Sequence, residues 1–273
     1  MTTAPKAPKA PSAPKATSAK TAIIDVDDTG MPFSHVIQDY LKIIYTNAEW
    51  EDSPTTVTAL AQHLQVAAST ASETVKRLVD AGFITHERYG GITLTEQGRD
   101  IALRMVRRHR LIETYLLTRL DYEWDEVHAE AESLEHAVSS TFIERIAETL
   151  GHPTRDPHGD PIPAEDGTVL IPAAVKLSEL AINTPARVVR IADSQPALLR
   201  HLEDRGLVLD ATVEVAQGLG IAGTYTLTIT PPKASISEGG LEKTASTKDN
   251  GDSPIVREMT PVLLDAVWVT TRI

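Results

Sequence analysis

At 273 residues and 41% hydrophobic content, the chain can hold one large domain or two to three small ones with real cores. Zero cysteines excludes disulfides and thiolate metal sites, and no apolar run approaches the ~20 residues a bilayer span needs. The formal net charge of -12 argues against a nucleic-acid partner only as an average, because residues 53–112 carry eight Lys/Arg against five Asp/Glu.

Residues 1–30 read as a disordered tail. The first 20 alternate Ala, Pro, Lys, Ser and Thr without periodicity and cannot bury enough apolar surface to offset their ordering entropy. The four lysines there suit either DNA phosphate or plain solvation. The N-terminus offers no apolar signal-peptide core, so a cytoplasmic location without membrane contact is expected.

Residues 31–100 predict a winged helix-turn-helix. A helix from Ser34 carries Val36, Tyr40, Leu41, Ile43 and Ile44 on one stripe, and a short second helix runs from Thr56 to Leu64. A turn at 65–68 leads to a third helix over 69–79, with Thr70 and Glu73 spaced as a capping box and Gly82 as the stop. Residues 83–95 alternate around Gly90-Gly91, a hairpin signal.

A long helix from Thr95 to about Leu120 and two acidic helices near 123–133 and 134–150 make residues 101–155 a helical dimerisation and metal-binding unit. Asp156-Pro-His-Gly-Asp-Pro-Ile-Pro163 opens a turn-rich linker, 156–183. Residues 184–273 read as β, with strands at 188–192, 212–216, 225–229 and 266–270, one helical segment at 198–202, and a mobile insertion near 231–257. A small barrel is the economical architecture. The fold class is therefore mainly α with a C-terminal β domain.

The chemistry concentrates in His128-Ala-Glu-Ala-Glu132-Ser-Leu-Glu135-His136. At about 100° per residue these four donors share roughly a third of a helix circumference. Glu132, Glu135 and His136 suit one hard divalent cation such as Mn(II) or Fe(II), and Asp39 on the first helix is the best-placed fourth donor. His109, Glu113 and His128 form a second candidate set. The competing view is ordinary: acidic residues at helical spacing usually make a solvated face.

For DNA, the start of the third helix offers Ser69, Thr70, Ser72, Glu73 and Thr74 for bases or phosphate, with Lys76 and Arg77 adding charge and Arg88 and Tyr89 in the wing. A winged helix can also serve protein docking. No nucleophile elbow, Walker loop or zincin pattern is present, and Glu132-x-x-Glu135-His136 only approaches the inverted zincin motif. An enzyme is not expected; a metal-dependent hydrolase is the remote alternative.

Asp39-Tyr-Leu-Lys-x-Ile-Tyr45, Ser72-Glu-Thr-Val75, Arg108-His-Arg-Leu-x-Glu113, Val127-His-x-Glu-Ala-x-x-x-Glu135-His136 and the 156–163 linker together resemble the diphtheria-toxin-repressor family over about residues 34–273. The resemblance implies a homodimeric repressor bound to a double-stranded DNA operator, with an N-terminal winged helix, a helical dimerisation and metal domain, and a C-terminal SH3-like domain. It implies a primary metal site of Asp39, Glu132, Glu135 and His136, and an ancillary one of His109, Glu113 and His128, with Asp193 and Gln195 lent by the third domain. Asp39 and Glu132 stand where the iron-responsive branch holds Met and Cys, so the chain is similar to manganese transport regulators that repress uptake genes; an Fe(II)-dependent repressor is the alternative. Lys42 stands where some manganese regulators add a glutamate, which speaks against a binuclear site.

Overall fold

The computed structural model describes residues 34–50, 54–87, 91–193, 195–217, 223–232 and 253–272. The tail over 1–30, Arg88, Tyr89, Gly90 and most of the expected insertion lie outside the described residues.

Helix α1 (His35–Glu49) is followed by α2 (Val57–His63), α3 (Ala68–Asp80) and a hairpin of β1 (Ile84–His86) and β2 (Ile92–Leu94), whose register pairs Ile84 with Leu94. Thr56 caps α2 through its hydroxyl, which accepts from the Ala59 N–H at 3.1 Å. The expected capping box on α3 is absent: the helix starts at Ala68, so Thr70 lies within it, and the methyl group of its N-cap Ala67 accepts no hydrogen bond. Ala71, Thr74, Val75 and Leu78 form the inward stripe of α3, packed with Leu41, Leu60, Phe83 and Ile92.

Helix α4 (Glu96–Leu120) spans 25 residues, about 37 Å at the usual rise. Thr95 caps it by accepting from the Gly98 N–H at 3.1 Å. Its first half, Ile101 to Val106, belongs to the winged-helix core, whereas Leu111, Ile112 and Leu116 belong to a second core with Val127, Ile143 and Ile146. One rigid rod thus joins both units. The two acidic helices are α5 (Val127–Leu134) and α6 (Ser140–Leu150), shorter than expected, because Ser139 caps α6 and breaks the continuity.

The C-terminal part is one antiparallel sheet in the order β3-β8-β4-β5-β6-β7. Its strands are β3 (Val175–Lys176), β4 (Ala186–Ile191), β5 (Thr212–Gln217), β6 (Tyr225–Thr230), β7 (Ile255–Met259) and β8 (Val267–Thr270), with α7 (Pro196–Glu203) and α8 (Pro261–Asp265) beside them. No pairing of β7 with β3 closes a barrel among the described residues. Strands β3 and β7 escape the sequence reading because two residues carry no period and Ile255-Val-Arg-Glu-Met259 carries two charges.

The sheet docks on the helical units through a polar junction. Trp50 Nε1 donates to Asp160 Oδ1 at 2.5 Å, and Arg190 Nε donates to the same oxygen at 2.6 Å. The Arg190 guanidinium lies 5.0 Å from the Trp50 ring centre and 4.3 Å from that of Trp268. Arg110 of α4 closes the network with Glu49 at 2.5 Å. Gly159, at φ +95°, is required here: a Cβ would stand 2.0 Å from the Val189 carbonyl oxygen. Arg190→Met should leave buried Asp160 short of a partner and cost on the order of 3 kcal/mol. Thermal unfolding measures that cost, and tryptophan emission should shift to the red before global unfolding; an unchanged emission and midpoint would show that the junction holds without Arg190.

Candidate metal centre

The inward face of α1 sets Tyr40, Leu41, Ile43 and Ile44 into the core, and this turns Gln38, Asp39 and Lys42 toward α4 and the end of α5. His109 and Glu113, one turn apart on α4, point the same way. His128 and Glu132 lie on α5; Glu135 is its C-cap and His136 sits in the following turn, still with helical backbone at Glu135. Arg108 holds that turn. Its guanidinium donates to the Glu135 carbonyl at 3.0 Å, the Val138 carbonyl at 2.5 Å and Ser140 Oγ at 3.2 Å. Buried carbonyls beyond a helix end need such donors.

The expected primary set converges. His136 Nε2 lies 2.7 Å from Asp39 Oδ1 and 3.5 Å from Glu135 Oε1, while its Nδ1 lies 3.1 Å from Gln38 Oε1. Asp39, Glu135 and His136 each offer a donor atom within 4.8 Å of the others. Glu132 reaches the cluster through Lys42, whose Nζ stands 3.2 Å from Glu132 Oε1 and 2.5 Å from Glu135 Oε1. The other oxygen of Glu135 accepts from His109 Nδ1 at 2.6 Å, so one carboxylate touches both candidate sets. Burial opposes the ionised Glu135, yet His109 and Lys42 outweigh it and hold its pKa at about 2.

The ancillary set is equally close. Glu113 Oε1 lies 3.0 Å from His109 Nε2 and 3.1 Å from His128 Nδ1, and Asp193 Oδ2 lies 3.6 Å from His128 Nδ1. Burial disfavours a charged His109, but Glu113 and Glu135 raise its pKa to about 10. Gln195 is a correction: it is exposed, preceding α7 as its N-cap residue, and does not line the cavity beside Asp193. Pro196 at the first helical position starts α7 there and carries Gln195 away.

Two residues of the expected linker, Asp156 and His158, lie beside this set. Glu113, Asp156 and His158 place donor atoms within 4.8 Å of one another. Asp156 Oδ1 accepts from the N–H groups of His158 and Asp160, at 2.8 and 2.9 Å, and so curls the loop inward. His158 stacks on Trp124, and its Nε2 lies 3.1 Å from the Trp124 carbonyl oxygen, which can only accept. That bond puts the proton on Nε2 and leaves a lone pair on Nδ1. Nδ1 is buried and has no hydrogen-bond partner, and neither has Glu113 Oε2. Orphaned buried acceptors facing shared space fit a cation, and the donor set is oxygen and imidazole without sulfur. Burial, and then Asp160 and Glu113, push the Asp156 carboxyl well above its ordinary pKa, and Arg110, 3.6 Å away, only partly offsets them. The only signal in the sequence was an Asp and a His two apart in a Pro/Gly loop.

On α3, Ser69, Thr70, Ser72, Glu73, Lys76 and Arg77 are exposed, as a reading surface requires. Thr74 is another correction: it is buried in the inward stripe with Ala71, Val75 and Leu78, and cannot reach DNA.

Comparison with known proteins follows the same division. Residues 32–92 match the iron dependent repressor N-terminal DNA binding domain, residues 95–164 the iron dependent repressor metal binding and dimerisation domain, and residues 175–239 the FeoA domain. The iron-dependent repressor IdeR of Mycobacterium tuberculosis is 34% identical over 196 residues, covering 67% of this chain and 85% of the relative. The chain belongs to the iron-dependent repressor family. The diphtheria toxin repressor of Corynebacterium diphtheriae is 29% identical over 187 residues, 67% of this chain and 82% of that protein. A solved manganese-dependent transcriptional repressor in complex with manganese is 40% identical with a TM-score of 0.73, covering 85% of this chain and 98% of that one. The manganese regulator SloR is 28% identical with a TM-score of 0.64, over 86% and 97% of the two chains. This family member is a metal-dependent transcriptional repressor with DNA-binding and dimerisation domains, not an enzyme. None of its described helices is long and apolar enough to cross a membrane.

His158→Ala should weaken the second equivalent of divalent metal about tenfold or more while leaving the first unchanged, read by calorimetric titration. Equal affinity for both equivalents would remove His158 from the ligand set.

Proposed function

We propose that this chain is a Mn(II)-dependent homodimeric repressor of manganese uptake genes, acting in the cytoplasm. One observation carries the reading: Asp39, on the first helix of the DNA-binding unit, lies 2.7 Å from His136 in the turn beyond α5, beside Glu135 and near Glu132. Three carboxylates and one imidazole make a hard donor set, and the chain has no cysteine to favour softer metals.

When bound, the ion supplies positive charge shared among donors on separate elements. Asp39 then ties α1 to the 132–136 segment, and α1 is packed in one core with α3. Fixing α1 fixes the exposed face of α3, where Ser69, Thr70, Ser72 and Glu73 suit bases and Lys76 and Arg77 suit phosphates. In a dimer, two such faces held at one spacing bind successive major grooves together. His109, Glu113 and His128, with Asp156, His158 and Asp193, form the ancillary site and link that geometry to the β domain. The coupling between metal and operator is a difference in affinity for the DNA-competent arrangement.

An Fe(II)-responsive repressor is the second reading, favoured by relatives named as iron-dependent. Gel-shift titration of an operator fragment decides. Mn(II) at micromolar levels should tighten binding about 10- to 100-fold, a gain that shrinks steeply with salt because phosphate contacts dominate affinity. Equal binding with and without Mn(II) would defeat the proposal, and stronger activation by Fe(II) would replace it with the second reading.

A further inference from the structure

Lys42 is the one feature of the primary cluster that a metal site does not require. It lies on α1 three residues after Asp39, is only 7% exposed, and sends its ammonium between the carboxylates of Glu132 and Glu135. Burial alone would disfavour that charge; the two glutamates outweigh the penalty. A lysine ammonium is a compact cation on a flexible four-carbon stem, so it can occupy a cation's place and also leave it.

We propose that Lys42 is a tethered competitor for the primary metal site, and that it sets the concentration of divalent metal at which this repressor responds. In the metal-free chain its ammonium neutralises Glu132 and Glu135 and keeps α1 against the turn at 135–136. The same two carboxylates are proposed donors to the ion, so binding requires the ammonium to move off them. A destination is at hand. Lys42 also lines a cavity of about 430 Å³ whose walls set Glu49, Glu113, Asp156, Asp160 and Asp193 beside Arg110, Arg190, His109 and His128, so the displaced ammonium has room and carboxylates within it. The apparent affinity of the site is then lowered by the fraction of molecules in which Lys42 holds the carboxylates. A narrow response window follows without any change in the ligands themselves.

The inference rests on the reading of Asp39, Glu132, Glu135 and His136 as donors, and the test separates the two. Free Mn(II) is followed by electron paramagnetic resonance in titrations of the full chain, with thermal unfolding measured with and without Mn(II). Lys42→Met and Lys42→Gln should bind the first Mn(II) about tenfold more tightly or better. They should unfold at lower temperature without metal and show a larger rise on adding it; Lys42→Arg should stay near the parent affinity. Unchanged or weaker Mn(II) binding by both neutral variants would overturn the competitor role, as would a loss of stability equal with and without metal, which marks a purely structural lysine. His136→Ala serves as the control on the underlying reading. If its first equivalent binds as in the parent chain, the site assignment fails and the inference with it.

Discussion

Carboxylates cannot be gathered in a half-buried space without positive charge between them, and the described residues gather eight, with Glu49 and Asp160 held by Arg110 and Arg190 and six more around the two donor sets. Glu113, Glu132, Glu135, Asp156 and Asp193 approach from α4, α5, the linker and the β domain, and Asp39 closes the group from α1. In the structure, Lys42, His109 and Arg110 answer that demand in part. The held-down pKa of Glu135 and the raised one of Asp156 differ in balance: His109 and Lys42 outweigh the burial of Glu135, whereas burial, Asp160 and Glu113 outweigh the single Arg110 beside Asp156. A divalent ion bound among them would relieve the remaining shortage with more charge in less volume, and would do so between elements that belong to different units. That is how a local electrostatic need becomes a statement about the placement of a DNA-reading helix.

The rest of the molecule makes the placement transmissible. Helix α4 contributes to two cores, carries His109 and Glu113 of the ancillary set, and touches Glu135 of the primary set through His109. Arg108 pins the turn that carries Glu135 and His136, and the Trp50–Asp160–Arg190 junction pins the β domain to the end of α1. Each is a buried polar contact with its partners in place, the kind that fixes one arrangement more than it adds stability.

Much of this was legible in the residues. The winged helix, the long α4 and the His/Glu clusters announced themselves because each depends on local spacing: caps, periodicity, and donors one helical turn apart. Asp39, Glu135 and His136 lie together, and Glu132 lies beside them across Lys42, so spacing along the chain was enough to pick out these neighbours. What escaped depends on tertiary approach. Asp156 and His158 looked like turn formers because the loop's curl, and not any helix, brings them to Glu113. Thr74 looked polar and available, but its place between Ala71 and Leu78 on the inward stripe buries it. Gln195 failed because Pro196 begins α7 and carries it outward. Lys42 read as a missing ligand; only its position among the carboxylates shows it as an occupant.

The account stands or falls on whether donors from α1 and from the 132–136 segment share one ion. X-ray absorption at the manganese edge, on the full chain loaded with a single equivalent of Mn(II), reads that directly. The account predicts a first shell of oxygens with one imidazole, losing the imidazole scattering in His136→Ala and one oxygen in Asp39→Ala. A spectrum indifferent to both substitutions would contradict it.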